Sequence, residues 1–320
     1  MKPCIYSVFA LAAAVCLAAH AQPTYPVKPI RLLVGFAAGG PSDVGARTIA
    51  QKLNEKWGQP VIVDFRPGAA GNIATEMLAK SPADGYTLIA AAFAHAVNPS
   101  LYGKLPFNAE KDFAPVLMFA SIANLLVAHP SLPARSVKDL IVLALSRPEQ
   151  LTVGSAGSGT SSHLSGELLK MMGGIKLTHV PYKGLAPAHV DTIGGQLSLL
   201  FDGIVTGVPA AKSGRLRALG VTTAKRWQGA PDIPAIAEAL PGFEVNSWYG
   251  LLAPTGTPRD IILRINSEVA RSIKEPDARE RFYSIGAEPL ANTPEEFATF
   301  IQNEMTKWAR VVKAAGIKVE

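Results

Sequence analysis

The 320-residue chain has two cysteines, Cys4 and Cys16, and both fall in its first sixteen residues. From Gln22 onward there is none. A disulfide scaffold, a thiol nucleophile and a cysteine-ligated metal are therefore excluded for that part. Histidine is scarce as well, and none of His95, His129, His163, His179 and His189 falls in a His-Glu-x-x-His or related spacing, so no metal site is expected. No lysine stands in either glycine-rich turn described below, which removes the Gly-x-x-x-x-Gly-Lys-Ser/Thr signature of nucleotide binding. No Gly-x-Ser-x-Gly occurs, and Gly157-Ser-Gly159 is followed by Ser162 where a dinucleotide fingerprint needs its third glycine. Long apolar runs are missing too: Val8 to Ala19 is too short to span a bilayer, and nothing later is longer.

What the first residues do contain is a leader pattern. Lys2, the apolar run and Ala19-His20-Ala21 read as a signal peptide over 1–21, cleaved after Ala21 and directing the product to the periplasm. Without Lys2 the 31 basic residues become 30, against 25 acidic ones, a net charge of +5. They are scattered rather than clustered with aromatics, so no nucleic-acid partner is expected. A mature chain of roughly 300 residues without disulfides needs large cores, and suits two domains.

Strand-like runs at 30–36, 61–64 and 86–92 alternate with helical patterns at 44–57 and 72–80, the rhythm of an α/β protein. Twice a strand-like run empties into a glycine-rich turn that opens a helix. The first is Ile30 to Phe36, then Ala37-Ala-Gly39-Gly40-Pro41-Ser42-Asp43. The second is Leu151 to Gly154, then Ser155-Ala-Gly157-Ser158-Gly159-Thr160-Ser161-Ser162-His163. A helix start leaves N–H groups without internal partners and carries the positive end of the macrodipole, so each turn is a candidate anion seat. Pro67-Gly68-Ala69-Ala70-Gly71 is a third glycine turn, read as a tight turn before a helix.

Val116 to Ala128 and Phe243 to Ala253 read as strands long enough to cross between two domains. That gives domain 1 as 22–120 and 248–320, domain 2 as 121–247, and a hinged cleft between them. Ser136, Thr257 and Thr293 are expected as helix N-caps, and the last helix, through Phe297 and Trp308, as packing on domain 1.

Successive segments carry a family resemblance: Tyr25-Pro-Val-Lys-Pro-Ile-Arg31, Gly39-Gly-Pro-Ser-Asp43 with Arg47, Arg66-Pro-Gly-Ala-Ala-Gly71-Asn72 and Asp84-Gly-Tyr-Thr-Leu88. Ser155-Ala-Gly-Ser-Gly159 with His163-Leu164, Val180-Pro-Tyr-Lys-Gly184, Gly194-Gly-Gln196, Pro231-Asp-Ile-Pro234 and Trp248-Tyr-Gly250 continue it. Together they resemble the substrate-binding proteins of tripartite tricarboxylate transporters, the Bug family of bacterial periplasmic receptors. The resemblance implies a type II periplasmic-binding-protein fold that closes like a flytrap on a small carboxylate held by the two glycine loops. It also implies a monomer without cofactor or catalysis, and delivery to membrane permease subunits. The chain departs from the family at Gly35, where proline is usual, and at Asp64-Phe65.

Carried onto this sequence, the first loop supplies Phe36, Ala37, Gly39, Gly40, Pro41, Ser42 and Asp43. The second supplies Ser155, Gly157, Gly159, Thr160, Ser161 and His163, with Phe93 as a further wall. Asp43 has two readings, a loop holder or a ligand contact. Asp202, before Gly203, is either a helix cap or the contact for the distal end of the ligand. Two other functions stay open: a receptor signalling to a membrane sensor, and a secreted serine hydrolase using Ser155 or Ser158 with His163.

Overall fold

The computed structural model describes residues 25–317. The leader over 1–21, its two cysteines and the cleavage after Ala21 lie outside the described residues. The first elements are β1 (Ile30–Val34), α1 (Pro41–Trp57), β2 (Val61–Phe65), α2 (Asn72–Ala79), β3 (Thr87–Ala92) and α3 (Ala94–Leu101). β1 pairs in parallel with both β2 and β3, Leu33 lying opposite Asp64 on one side and Ile89 on the other. Ile30, Leu32, Leu33 and Val34 are all buried, as expected of a parallel strand covered on both faces.

β4 (Phe113–Ala128) then runs for 16 residues into a second set of elements. These are α4 (Val137–Ser146), β5 (Thr152–Ser155), α5 (Ser161–Gly173), β6 (Thr178–Pro181) and α6 (Leu185–Ile193), then β7 (Leu199–Gly203), α7 (Ile204–Lys212) and β8 (Arg217–Val221). The chain returns through β9 (Asn246–Pro254), α8 (Arg259–Ser272), α9 (Pro276–Ser284), β10 (Ala287–Pro289) and α10 (Pro294–Ala315).

β4 serves two sheets. From Phe113 to Ala123 it pairs antiparallel with β9, closing the order β2-β1-β3-β9-β4, with β10 on its other edge. From Asn124 to Ala128 it pairs antiparallel with β7 on one edge and β8 on the other, in the order β6-β5-β7-β4-β8. The return connection lies beside this switch. Val245 N–H donates to the Thr222 carbonyl, Thr222 N–H donates to the Asn124 carbonyl, and Asn246 then stands opposite Ala123. The α/β class and the crossing strand β4 expected from the sequence are thus present. The second crossing, expected as a strand from Phe243, is instead irregular up to Val245: β9 begins at Asn246 and pairs only with β3 and β4 in the first sheet.

α10 closes the molecule. Its Trp308 is fully buried and meets Phe93 edge-on, with ring centroids 5.1 Å apart. The helix packs on α3 and β4, and it also touches α5 of the second sheet's layer. Two of the three expected caps form: Ser136 Oγ accepts the Asp139 N–H, and Thr293 and Glu296 make a reciprocal capping box. Thr257 is a correction. Its hydroxyl and N–H both turn back to the Pro254 carbonyl, at 2.8 and 3.2 Å, to finish β9. The first bond of α8 goes to Pro258 instead, whose carbonyl accepts the Ile262 N–H.

Candidate functional site

Both glycine turns open helices, but their N–H groups are used differently. In the first, Gly40 is the N-cap of α1 without a side-chain cap, and Pro41 follows at the first helical position. Asp43 reaches back over the turn. Its Oδ2 accepts the Gly39 N–H at 2.8 Å, and its Oδ1 accepts from Arg47 Nε at 2.5 Å. The buried acid therefore holds the loop shut on itself, the first of its two sequence readings. Gly35 explains the departure from proline: a Cβ there would meet Gly71 Cα at 2.7 Å, so a bare backbone lets the 68–71 turn lie against the first loop.

In the second turn the cap is Thr160. Its Oγ1 accepts the His163 N–H at 3.3 Å, and its carbonyl accepts the Leu164 N–H at 2.9 Å. The N–H groups of Ser161 and Ser162 remain, the two that helix geometry leaves without an intrahelical partner. Thr160 Oγ1 itself donates to the Gly157 carbonyl at 2.7 Å, which ties the loop into a compact nest. Gly159 has φ +78° and lies so close to α3 that a Cβ would come within 2.7 Å of Leu101 Cδ1. Only glycine fits there.

A cavity of about 600 Å³ lies between this turn and the first sheet's elements. Phe36, Ala70, Phe93, Asn98, Leu101 and Tyr102 form one wall, Ser158, Gly159, Thr160 and Ser161 the other, and Ser247 and Tyr249 of β9 the floor. Ser161 Oγ and Ser247 Oγ are 2.6 Å apart, so the second wall meets the floor through a hydroxyl pair. Asn98 Nδ2 spans the Ala70 carbonyl and Asn72 Oδ1, at 3.1 and 2.7 Å, fixing the turn that carries Ala70. Burial pushes the Tyr249 phenol up to about 12, so it stays a neutral hydroxyl at physiological pH. Among the described residues, no Asp, Glu, Lys, Arg or His lines the cavity.

Of the residues expected from the sequence, Phe36, Phe93, Gly159, Thr160 and Ser161 line this space. Ala37, Gly39 and Pro41 are exposed on the first loop, Gly40 is half-buried, and Ser42 and Asp43 are buried at the start of α1. Ser155, Gly157 and His163 stand behind the second loop. Ser155 Oγ accepts the Gly157 N–H at 3.1 Å and lies 2.7 Å from His179 Nε2. His163 Nδ1 accepts the Gly159 N–H at 3.0 Å, and its ring stacks on His179 with centroids 3.9 Å apart. Burial and the adjacent His163 lower His179 to about 4.

Asp202 is placed elsewhere. It is fully buried, with Oδ1 accepting from Gly203 N–H and Thr206 Oγ1 and Oδ2 lying 2.6 Å from His189 Nδ1. Oδ1 is committed to the start of α7, which matches its helix-cap reading, and Oδ2 to His189 of α6. Sequence reasoning missed Ala70, Asn98, Leu101, Tyr102, Ser247 and Tyr249. Two of these sat inside motifs already quoted, Ala70 in the third glycine turn and Tyr249 in Trp248-Tyr-Gly250.

The hydrolase geometry does not assemble. Ser155 is buried and paired with His179 rather than His163, and both ring nitrogens of His163 face groups of its own loop and helix. Among the described residues, no cluster of three His, Cys, Asp or Glu side chains could hold a metal ion. No helix of the described residues is long and apolar enough to cross a membrane.

Residues 45–317 match the family described as tripartite tricarboxylate transporter family receptor. Protein BugT of Bordetella pertussis is 35% identical over 300 residues, covering 93% of this chain and 92% of its own length. An R. palustris protein solved with adipate superposes with a TM-score of 0.76 at 40% identity, covering 92% of this chain and 100% of its own. MatC of Rhodopseudomonas palustris, solved with bound malate, gives 0.72 at 34% identity, covering 90% of this chain and 100% of its own.

Proposed function

Because this chain belongs to the tripartite tricarboxylate transporter receptor family, we propose that its cavity captures a small carboxylate and presents it to the membrane subunits of such a transporter. The observation that carries this reading is the chemistry of the second wall. Ser161 and Ser162 present the unpaired N–H groups of a 13-residue helix, and the Ser158 and Ser161 side chains stand beside them in a cavity free of acidic residues. A carboxylate there gains charge-assisted hydrogen bonds and the positive end of α5, without a cation of the protein to neutralise it. Relatives of this chain have been solved with adipate and malate, both carboxylates.

We assign the closing motion to the pair of connections at 123–124 and 245–246, with 22–120 and 248–320 as one lobe and 121–247 as the other. Residues from both lobes line the cavity, so an anion that touches both favours the closed arrangement over the open one. In this reading Phe36 and Phe93 cover the ligand body, Gly159, Thr160 and Ser161 hold the carboxylate, and Asp43 keeps the first loop in shape. The protein acts as a monomer in the periplasm after removal of residues 1–21, and it performs no chemistry on its ligand.

The test is a thermal-shift panel of small carboxylates, aliphatic and aromatic, on the mature protein, with adipate and malate included. A ligand at about 100 times its dissociation constant adds about 2.7 kcal/mol of stability. At least one acid is expected to do so and to be recovered unchanged. Turnover of that acid, or no response to any acid, contradicts the proposal.

A further inference from the structure

His163 and His179 take no part in lining the cavity, yet they hold the loop that does. His163 is buried, and its Nδ1 accepts the Gly159 N–H at 3.0 Å. That bond requires a lone pair on Nδ1, so the ring proton resides on Nε2, which faces Glu167 Oε1 at 3.4 Å. On the other ring, Ser155 Oγ accepts the Gly157 N–H at 3.1 Å and pairs with His179 Nε2 at 2.7 Å. Two stacked imidazoles thus fix, directly or through one hydroxyl, the N–H groups of the glycines on either side of Ser158.

We propose that His163, backed by His179, is a positioning residue for the anion-binding loop, and that the loop loses its grip when the Nδ1 acceptor of His163 is lost. The proposal rests on the carboxylate-receptor reading above. A neutral imidazole has one acceptor nitrogen, whereas an imidazolium has none. Protonated His163 would direct an N–H at the Gly159 N–H. Gly159 would then have to turn, and with it Ser158, Thr160 and the mouth of α5.

The groups facing the pair are Glu167 and Lys170 on α5 and, for each ring, the other ring. Burial works against a charge on Glu167, but hydrogen bonds from His163 and Lys170 outweigh it and keep this carboxyl below its ordinary range. Lys170 lies 2.8 Å from Glu167, so the acid is already matched by one cation. Burial and the stacked partner both oppose a charge on His179, which holds its proton only near pH 4. His179 is therefore uncharged at neutral pH and backs the His163 ring as a neutral stacking partner.

The experiment follows the backbone amides of Gly157 and Gly159 by nitrogen-15 NMR in the ligand-free mature protein at neutral pH, with adipate affinity measured by calorimetry under the same conditions. Three proteins are compared: native, His163→Asn, whose side-chain oxygen can accept from Gly159, and His163→Leu, which cannot accept. His163→Asn should keep the native Gly159 amide shift and adipate affinity, while His163→Leu should move that amide and lower the affinity at least about tenfold. Should His163→Leu not fold, His163→Ala takes its place. An asparagine variant that loses affinity as the non-accepting variant does, or a non-accepting variant with native affinity, overturns the proposal. Failure of adipate to bind the native protein counts against the receptor reading for that acid, while the Gly159 amide shifts still decide the role of His163.

Discussion

The two glycine turns have the same sequence grammar: a strand, a glycine-rich bend, then a helix. In the first, an acid four residues after Gly39 takes that glycine's N–H for itself and is steadied by Arg47. In the second, the equivalent restraint comes from behind, through Thr160 Oγ1 and the ring of His163, and the N–H groups of Ser161 and Ser162 stay without a hydrogen-bond partner, Ser161 at the cavity wall. A negative side chain inside the turn supplies the helix start with its own anion. A hydroxyl and an imidazole nitrogen shape the turn without filling it. Glycine thus allows a turn to become an anion seat, and the polar residue that braces the turn decides whether it does.

The sharpest way to break this contrast is to substitute one glycine in each turn. Gly159→Val places a β-branched side chain at φ +78° and against Leu101, so the ligand response should disappear, with a stability loss of about 1–3 kcal/mol. Asp43→Ala should cost about 1–2 kcal/mol through the freed Gly39 N–H and Arg47, and thermal melting would show it. Asp43→Asn retains an acceptor for Gly39 and should recover most of that. Thr160→Ala removes the cap of α5 and should cost about 1 kcal/mol. Its binding loss should exceed that of Asp43→Ala, because the cap also shapes the open seat. Gly40→Val is the smallest change. With φ −90° and only the Ala37 carbonyl oxygen near its Cβ position, at an unstrained 4.0 Å, it should leave the acid response nearly intact. Equal binding losses for Gly40→Val and Gly159→Val would erase the distinction between the turns.

Much of the frame was legible in the chain itself. The parallel layers around β1 followed from apolar runs separated by helical spacing, and the length of the run ending at Ala128 foretold a strand serving two sheets. Other elements were hidden by proline or charge. α3 contains Pro99 and α7 contains Pro209, residues that read as breakers, while α9 is mostly polar, with few apolar residues to mark a face. The cavity was half legible. Its second wall is one contiguous segment, so local grammar reached it. Its other wall is assembled from Ala70, Asn98, Leu101, Tyr102 and Tyr249, which share no period and meet only because β3, α3 and β9 are neighbours. Asp43 and His163 show the same limit at the scale of one residue. The sequence placed each beside a turn, and only the direction of its hydrogen bonds separated bracing from binding.

The central claim is that the carboxylate sits on the mouth of α5, and backbone amide shifts during an adipate titration of the mature protein test it most directly. The account predicts that the largest shifts belong to Ser161 and Ser162, with Gly39 and Gly40 moving little. Largest shifts at Gly39 and Gly40, with Ser161 and Ser162 unmoved, would contradict it.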